Sequence, residues 1–104
     1  MKRYAVAYAP EALADLEEIY DRIADAAGEK IAFGYITRIR TFCAGFDTFP
    51  VRGTDRKDIR PGLRTVGFER RITVAFAVHE THVEFLRFFG RGRDWERVIT
   101  DDAG

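Results

Sequence analysis

In the segment "EKIAFGYITRIRTFCAGF", Ala32, Ile36, Ile39, Cys43 and Phe46 recur at steps of four, three, four and three. Only an α-helix brings residues at that spacing onto one line, so the segment is predicted to be a helix with one large buried face. Tyr35, Phe42 and Phe49 run beside that line and widen it. Gly45 weakens the last turns, and Pro50 ends the helical pattern.

The residues before it supply a first helix. "RYAVAY" alternates Tyr4, Val6 and Tyr8 with smaller residues, the period of a strand. Pro10 suits the first turn of a helix, where its missing N–H is no loss. Leu13, Leu16, Ile19, Tyr20 and Ile23 then form an apolar stripe. Glu11, Asp15, Glu17, Glu18, Asp21 and Asp25, against Arg22 alone, read as a solvated acidic face. Gly28 offers a left-handed stop, and so short a loop makes an antiparallel helical hairpin.

After the loop at 50–62 come "LRTVGF", "RRITVAFAV" and "HVEFLRFF". The second alternates Ile72, Val74, Phe76 and Val78 with Thr73, Ala75 and Ala77; the third is apolar on both faces, as a central strand covered on each side would be. "HETH" is the hairpin connection, and "RDWERVI" makes a closing helical turn. The order gives an α+β fold, β-α-α-β-β-β: an N-terminal strand, an antiparallel helical hairpin packed on a mainly antiparallel sheet, and a short C-terminal helical turn. At 104 residues this is a single domain, 1–104, able to bury a core without staples.

Several classes are set aside by composition. The lone Cys43 excludes an internal disulfide framework and suits a reducing, cytoplasmic setting. Its place on the second helix's stripe makes it an inert buried thiol rather than a nucleophile. No apolar run approaches the ~20 residues that span a bilayer, and the N-terminus turns acidic too soon for a signal peptide. His79 and His82, with Glu80 and Glu84, lack the spacing and closed ligand set of a zinc site, so no metal and no cofactor are expected. The formal net charge is +0, which leaves no global field toward nucleic acid or membrane. The charges segregate, however. Arg52, Arg56, Lys57, Arg60, Arg64, Arg70 and Arg71 outweigh Asp55, Asp58 and Glu69, and Arg87, Arg91, Arg93 and Arg97 continue the trend. Such a face either meets an acidic partner or is simply solvated.

Three stretches in order resemble the RelE/ParE superfamily of toxins from bacterial type II toxin–antitoxin systems. "APEALADLEEIYDRIA" resembles its first helix through Pro10, Ala12, Asp15, Leu16 and Ile19. "FDTFPVRGTDRKDIRPGLR" resembles its connection into the sheet through Phe49, Pro50, Gly53 and Arg60 to Arg64. "VEFLRFFGRGRDWE" resembles its last strand and tail through Val83, Glu84, Leu86, Arg87, Gly90, Arg93 and Asp94. Two departures stand out: Phe89 occupies a place that is often histidine, and "GRGRD" is one residue longer than the common ending. The RelE-like branch cleaves messenger RNA on the ribosome, and the ParE-like branch is associated with poisoning DNA gyrase. The helical hairpin and "RPGLR" are nearer the ParE-like branch. The resemblance therefore implies a toxin that binds and inhibits gyrase and is neutralised by a cognate antitoxin of ribbon-helix-helix type, whose C-terminal segment wraps the toxin. The alternatives are a RelE-type ribosome-dependent endoribonuclease and a degenerate toxin that only binds its antitoxin. Assembly as a toxin dimer, with Phe33 outside the main stripe, or as a toxin–antitoxin hetero-oligomer is compatible with either.

RNA cleavage through the 2′-hydroxyl needs a base, a cation at the phosphate and an acid. Arg64, Arg71, Arg87, Arg91 and Arg93 suit the cation role. The resemblance implies that a nuclease would add lysines and a tyrosine near the strand ends, yet no tyrosine follows Tyr35 and only Lys57 follows Lys30. His79 and His82 serve only if their turn borders the RNA.

For the stretch "FLRFFGRGRDWER", strict alternation puts Phe85, Arg87 and Phe89 on one sheet face and Leu86 and Phe88 on the other. If the helices cover the latter pair, the former presents an aromatic and arginine surface of the kind that interfaces favour at their centres. The competing arrangement folds Trp95 back over that face and pairs Arg93 with Asp94 or the C-terminal acids. The resemblance favours docking, with Arg60, Arg64, Arg71, Phe85, Arg87, Phe89, Arg91, Arg93, Asp94 and Trp95 as the target- or antitoxin-binding residues.

Overall fold

A computed structural model describes residues 2–90 and 93–103. Along the chain lie β1 (Ala5–Tyr8), α1 (Pro10–Ala27), α2 (Glu29–Ala44), a 3-10 turn (Gly45–Asp47), β2 (Thr54–Asp55), β3 (Leu63–Phe68), β4 (Ile72–Val78), β5 (His82–Gly90) and α3 (Trp95–Ala103). The expected order is present, with one short strand, β2, added inside the loop. The closing turn is a full helix. The sheet runs β1-β5-β4-β3-β2, with β1 parallel to β5 and the other neighbours antiparallel.

Local chemistry accounts for the helices. Ala9 is extended and Pro10 opens α1, while Gly28, at φ 97 and ψ 159, adopts a backbone conformation closed to other residues and turns the chain directly into α2. The helices cover one sheet face. Leu16, Ile19, Ile39, Cys43 and Phe46 pack there against Val74, Phe76, Val83, Phe85 and Phe88. Phe46 is fully buried and meets Phe76 and Phe85 edge-on, with centroids 5.0 and 5.2 Å apart. Truncating such a ring to alanine typically costs about 3–5 kcal/mol. α3 covers the second face, where Ile99 and Trp95 pack on Leu63, Ala75 and Phe89.

Three details depart from strict periodicity. Phe49 is 69% exposed, because the 3-10 turn redirects the chain before the next helical step is reached. Leu13 is 45% exposed, and Ala12 and Asp15 take the inward places on α1. Asp15 is thus buried rather than part of the solvated acidic face. Finally, β5 carries a bulge: Ala75 pairs with Arg87, but the next residue, Phe76, pairs with Phe85. The extra residue, Leu86, shifts the alternation by one, so Phe85 and Phe88 share the helix side and Phe89 faces α3.

Bulge and buried carboxylate belong together. The β1 ladder ends where Tyr8 faces Phe85 and the Ala9 N–H donates to the Phe85 carbonyl at 2.9 Å. Beyond that point β5 has no strand on this side, and Asp15 substitutes for one. Its Oδ2 accepts from the Phe88 N–H at 2.9 Å and from Arg87 Nε at 2.8 Å, and its Oδ1 accepts from Arg87 Nη2 at 3.0 Å. Removing the carboxylate leaves a buried N–H and a largely buried guanidinium without their shared acceptor. Asp15→Ala is therefore expected to lower stability by about 3–5 kcal/mol in urea unfolding, whereas Glu17→Ala on the exposed side of α1 should change it by less than about 0.5 kcal/mol.

Candidate functional site

The most strained point in the backbone is the hairpin turn between β3 and β4. The Arg71 N–H donates to the Phe68 carbonyl at 3.0 Å, and Glu69 and Arg70 sit at φ 49 and 58. Two successive positive φ values are the mark of a tight hairpin turn that usually holds glycine or asparagine. Here a glutamate and an arginine occupy it. Arg38 on α2 holds the strained turn by donating to Glu69 through Nε at 2.9 Å and Nη2 at 3.1 Å. Those bonds hold the Glu69 carboxyl below its usual range. Arg70 and Arg71 are thereby presented outward, and the Arg71 guanidinium makes no hydrogen bond or ion pair among the described residues.

Beside this turn lies an apolar groove. A cavity of about 430 Å³ is floored by Ile19, Ile23, Tyr35 and Ile72 and edged by Arg22, Arg71 and Gly90. It continues into one of about 670 Å³ that reaches Ala27 and Ile31 at the helical junction, sharing Arg22, Ile23, Tyr35 and Arg71. The Tyr35 hydroxyl is buried and has no hydrogen-bond partner. Burial raises its pKa, Glu69 adds to the rise, and Arg71 and Arg38 oppose it. Near neutral pH it remains a donor.

The residues anticipated from sequence do not form one cluster. Arg60 opens a tight turn in which the Leu63 N–H donates to the Arg60 carbonyl at 3.1 Å, with Pro61 second and Gly62, at φ 82, third. The "RPGL" motif is therefore turn chemistry. Arg64 donates from Nε to the Arg52 carbonyl at 3.0 Å, tying the preceding loop to β3. Gly53 makes that close approach possible: a Cβ there would sit 2.2 Å from the Thr65 carbonyl oxygen. Arg87 is committed to Asp15. Phe85 and Phe89 are fully buried on opposite faces, so the expected open surface of Phe85, Arg87 and Phe89 is absent. Of the two arrangements open to the tail, Trp95 adopts the folded-back one. Its ring lies 6.3 Å from that of Phe89 and 4.9 Å from the Arg56 guanidinium, which also pairs with Asp58 and Glu96. Arg93 is exposed and makes no ion pair among the described residues, its guanidinium lying 5.7 Å from the Phe89 ring. Asp94 caps α3, accepting from the Arg97 N–H at 3.4 Å. Arg91 lies outside the described residues.

His79 and His82 stack at 4.4 Å, with His79 Nε2 3.3 Å from Glu84 Oε1, at the opposite end of β5 from Gly90 and Arg93. They are far along the strand from Arg71, so the histidines and the exposed arginines do not make one acid–base site. Among the described residues no group of three or more His, Cys, Asp or Glu could hold a metal ion, and no helix is long and apolar enough to cross a membrane. Cys43 is fully buried, and burial pushes its thiol up to about 11 against the lowering influence of Tyr8, Arg40 and Arg52. Sequence reasoning did not identify the residues that line this groove. One available signal was "ER" between Phe68 and Arg71, a two-residue hairpin turn without glycine or asparagine.

This architecture has known counterparts. A family model described as "ParE toxin of type II toxin-antitoxin system, parDE" matches residues 6–95. The chain belongs to this toxin family. It is 37% identical over 51 residues to Toxin ParE3 of Caulobacter vibrioides, covering 49% of this chain and 51% of that protein. The chain thus spans about half the length of that curated relative. A solved chain from the chromosomal ParDE TA system of P. aeruginosa superposes with a TM-score of 0.74 at 25% identity, over 85% of this chain and 96% of that one.

Two outcomes are expected from the geometry around this family member's site. Arg70→Gly relieves the positive φ and should raise stability by about 0.5–1 kcal/mol after the glycine's greater unfolded-state entropy is counted, read as an increased melting temperature. Because its raised pKa keeps the buried Cys43 thiol protonated well above neutrality, the folded protein at pH 8 should resist Ellman's reagent and react promptly only once unfolded.

Proposed function

We propose that this chain is a toxin that acts by binding and inhibiting DNA gyrase, and that a cognate antitoxin neutralises it. Membership of the ParE toxin family supports the toxin role. The observation that favours inhibition by binding over catalysis is the separation of cations from proton-transfer groups. Arg64 and Arg87 hold the fold, Arg71 and Arg93 are exposed near the β3–β4 turn and the end of β5, and both histidines lie at the other end of the sheet. Tyr35, with its raised pKa, is a poor base beside them.

On this reading Arg71, Arg93, Asp94 and Trp95 contribute to a rigid, largely basic contact surface in the cytoplasm, and Arg60, at the opposite end of the β3–β4 hairpin, makes a separate contact. Phe85, Arg87 and Phe89 support it from within. The antitoxin, of ribbon-helix-helix type, would cover the toxin with a C-terminal segment that orders as it binds.

The test is supercoiling by gyrase in the presence of the purified protein, run beside cleavage of messenger RNA on translating ribosomes. Loss of supercoiling without RNA cleavage is expected, with Arg71→Ala and Arg93→Ala together weakening inhibition about tenfold or more. RNA cleavage without gyrase inhibition would overturn the proposal, and inactivity in both assays would identify a degenerate toxin.

A further inference from the structure

The sheet face covered by α3 ends in a shelf beside the strained turn. Gly67, Thr73 and Phe89 lie level there across β3, β4 and β5. Phe89 packs under α3, whereas Gly67 brings no side chain, and a Cβ added to it would meet nothing within 4 Å. A cavity of about 290 Å³ has Gly67 and Thr73 in its lining, with Arg70, Arg71, Arg93 and Trp95 around it. Neighbouring residues of an extended strand point to opposite faces, yet Arg70 and Arg71 both line this one cavity. The positive-φ turn brings them together, and the glycine or asparagine usual in such a turn would bring no charge. The carboxylates beside them in sequence are engaged elsewhere: Glu69 accepts from Arg38, Asp94 from the Arg97 N–H and Glu96 from Arg56. No carboxylate among the described residues lines the cavity. Three exposed guanidiniums thus border one cavity with no offsetting charge in its lining, and an anion entering it relieves their mutual repulsion.

We infer that this cavity is a phosphate-binding site, taking the phosphate of a free nucleotide or of a nucleic-acid strand, with Arg70, Arg71 and Arg93 as its cations and Thr73 as a hydroxyl donor. Guanidinium forks match phosphate oxygens pairwise, and a tetrahedral phosphate has oxygens enough for several of them. A single carboxylate has two oxygens and one charge, and leaves part of the set unanswered. The bare shelf at Gly67 admits the anion close to the strands, and Trp95 supplies an aromatic wall on which a base can stack. With a net charge of +0 the protein exerts no long-range pull, so the attraction is local and sensitive to salt. The site shares Arg71, Arg93 and Trp95 with the contact surface proposed for gyrase, and rests on that reading for one source of the phosphate, the DNA that gyrase holds.

Trp95 is the only tryptophan in the sequence, so its fluorescence reports on the cavity directly. The test is titration of the full chain, at fixed ionic strength, with pyrophosphate, a short DNA duplex and a poly-glutamate peptide. Thermal melts establish that each variant is folded. Pyrophosphate is expected to give a saturable change, and the peptide none at the same concentration. Arg71→Ala and Arg93→Ala should each weaken pyrophosphate binding about tenfold, as should Arg70→Gly, which keeps the turn and removes the guanidinium. Lys57→Ala, an equal loss of charge in the exposed loop, should leave it unchanged. A duplex that displaces pyrophosphate, with a salt slope that falls by about 1 for each arginine removed, identifies a backbone phosphate as the ligand. A duplex that fails to displace it leaves the free nucleotide as the source. No saturable change with pyrophosphate or duplex, equal weakening by Lys57→Ala, or peptide binding as tight as that of pyrophosphate overturns the inference. Supercoiling by gyrase with the same preparations reads the toxin activity separately. Arginine-dependent phosphate binding without gyrase inhibition would refute the function and keep the site, and the reverse pattern would refute the site alone.

Discussion

One carboxylate governs how this chain closes. Asp15 lies in the inward stripe of α1, where an apolar residue would ordinarily sit, and it accepts from a backbone N–H and a guanidinium of β5. Burying an ionised group is unfavourable unless its lone pairs are occupied, and here they are. The same bonds replace the strand neighbour that β5 loses where β1 gives way to α1. Helix, bulge and strand end are thus a single unit. The direction of β5 beyond Phe85, and hence the placing of Gly90 and the tail, depends on it.

The bulge has consequences for both sheet faces. By shifting the alternation at Leu86 it delivers Phe85 and Phe88 to the helical side, where Phe46 meets the first of them, and sends Phe89 to the other. A second apolar face then exists and needs a cover. α3 supplies it through Ile99 and Trp95, and Arg56 lashes the long loop to that helix through Glu96. The tail is consequently packed on the second sheet face as part of the core, while the apolar groove beside the β3–β4 turn stays open.

At that groove the structure holds conformational strain in a place where packing does not demand it. A hairpin turn of this kind accepts glycine or asparagine at no strain, whereas Glu69 and Arg70 cost about 1–2 kcal/mol each by their backbone alone. Arg38 offsets some of that cost through Glu69 and fixes the turn against α2. The product is a preorganised pair of exposed arginines beside an apolar groove. Fold class alone does not confer a function, and it is membership of the ParE toxin family that places this chain among toxins.

What the sequence determined by itself was local. The four-three spacing from Ala32 to Phe46, Pro10 and Gly28 around α1, and the alternation of β4 are set by backbone periodicity and by residues with restricted or unusual φ, so they read correctly in isolation. The fold class and the family resemblance came from their order. Asp15 looked like one more acidic residue on a wet helix face, since its partners are 72 and 73 residues away and no local pattern announces them. The bulge was likewise invisible, because "FLRFF" is apolar on either register and only pairing with β4 and capping by Asp15 choose between them. Which arginines are structural and which are exposed was a tertiary decision too. A guanidinium on a strand satisfies a carbonyl, a buried carboxylate or the solvent according to what the rest of the chain places beside it.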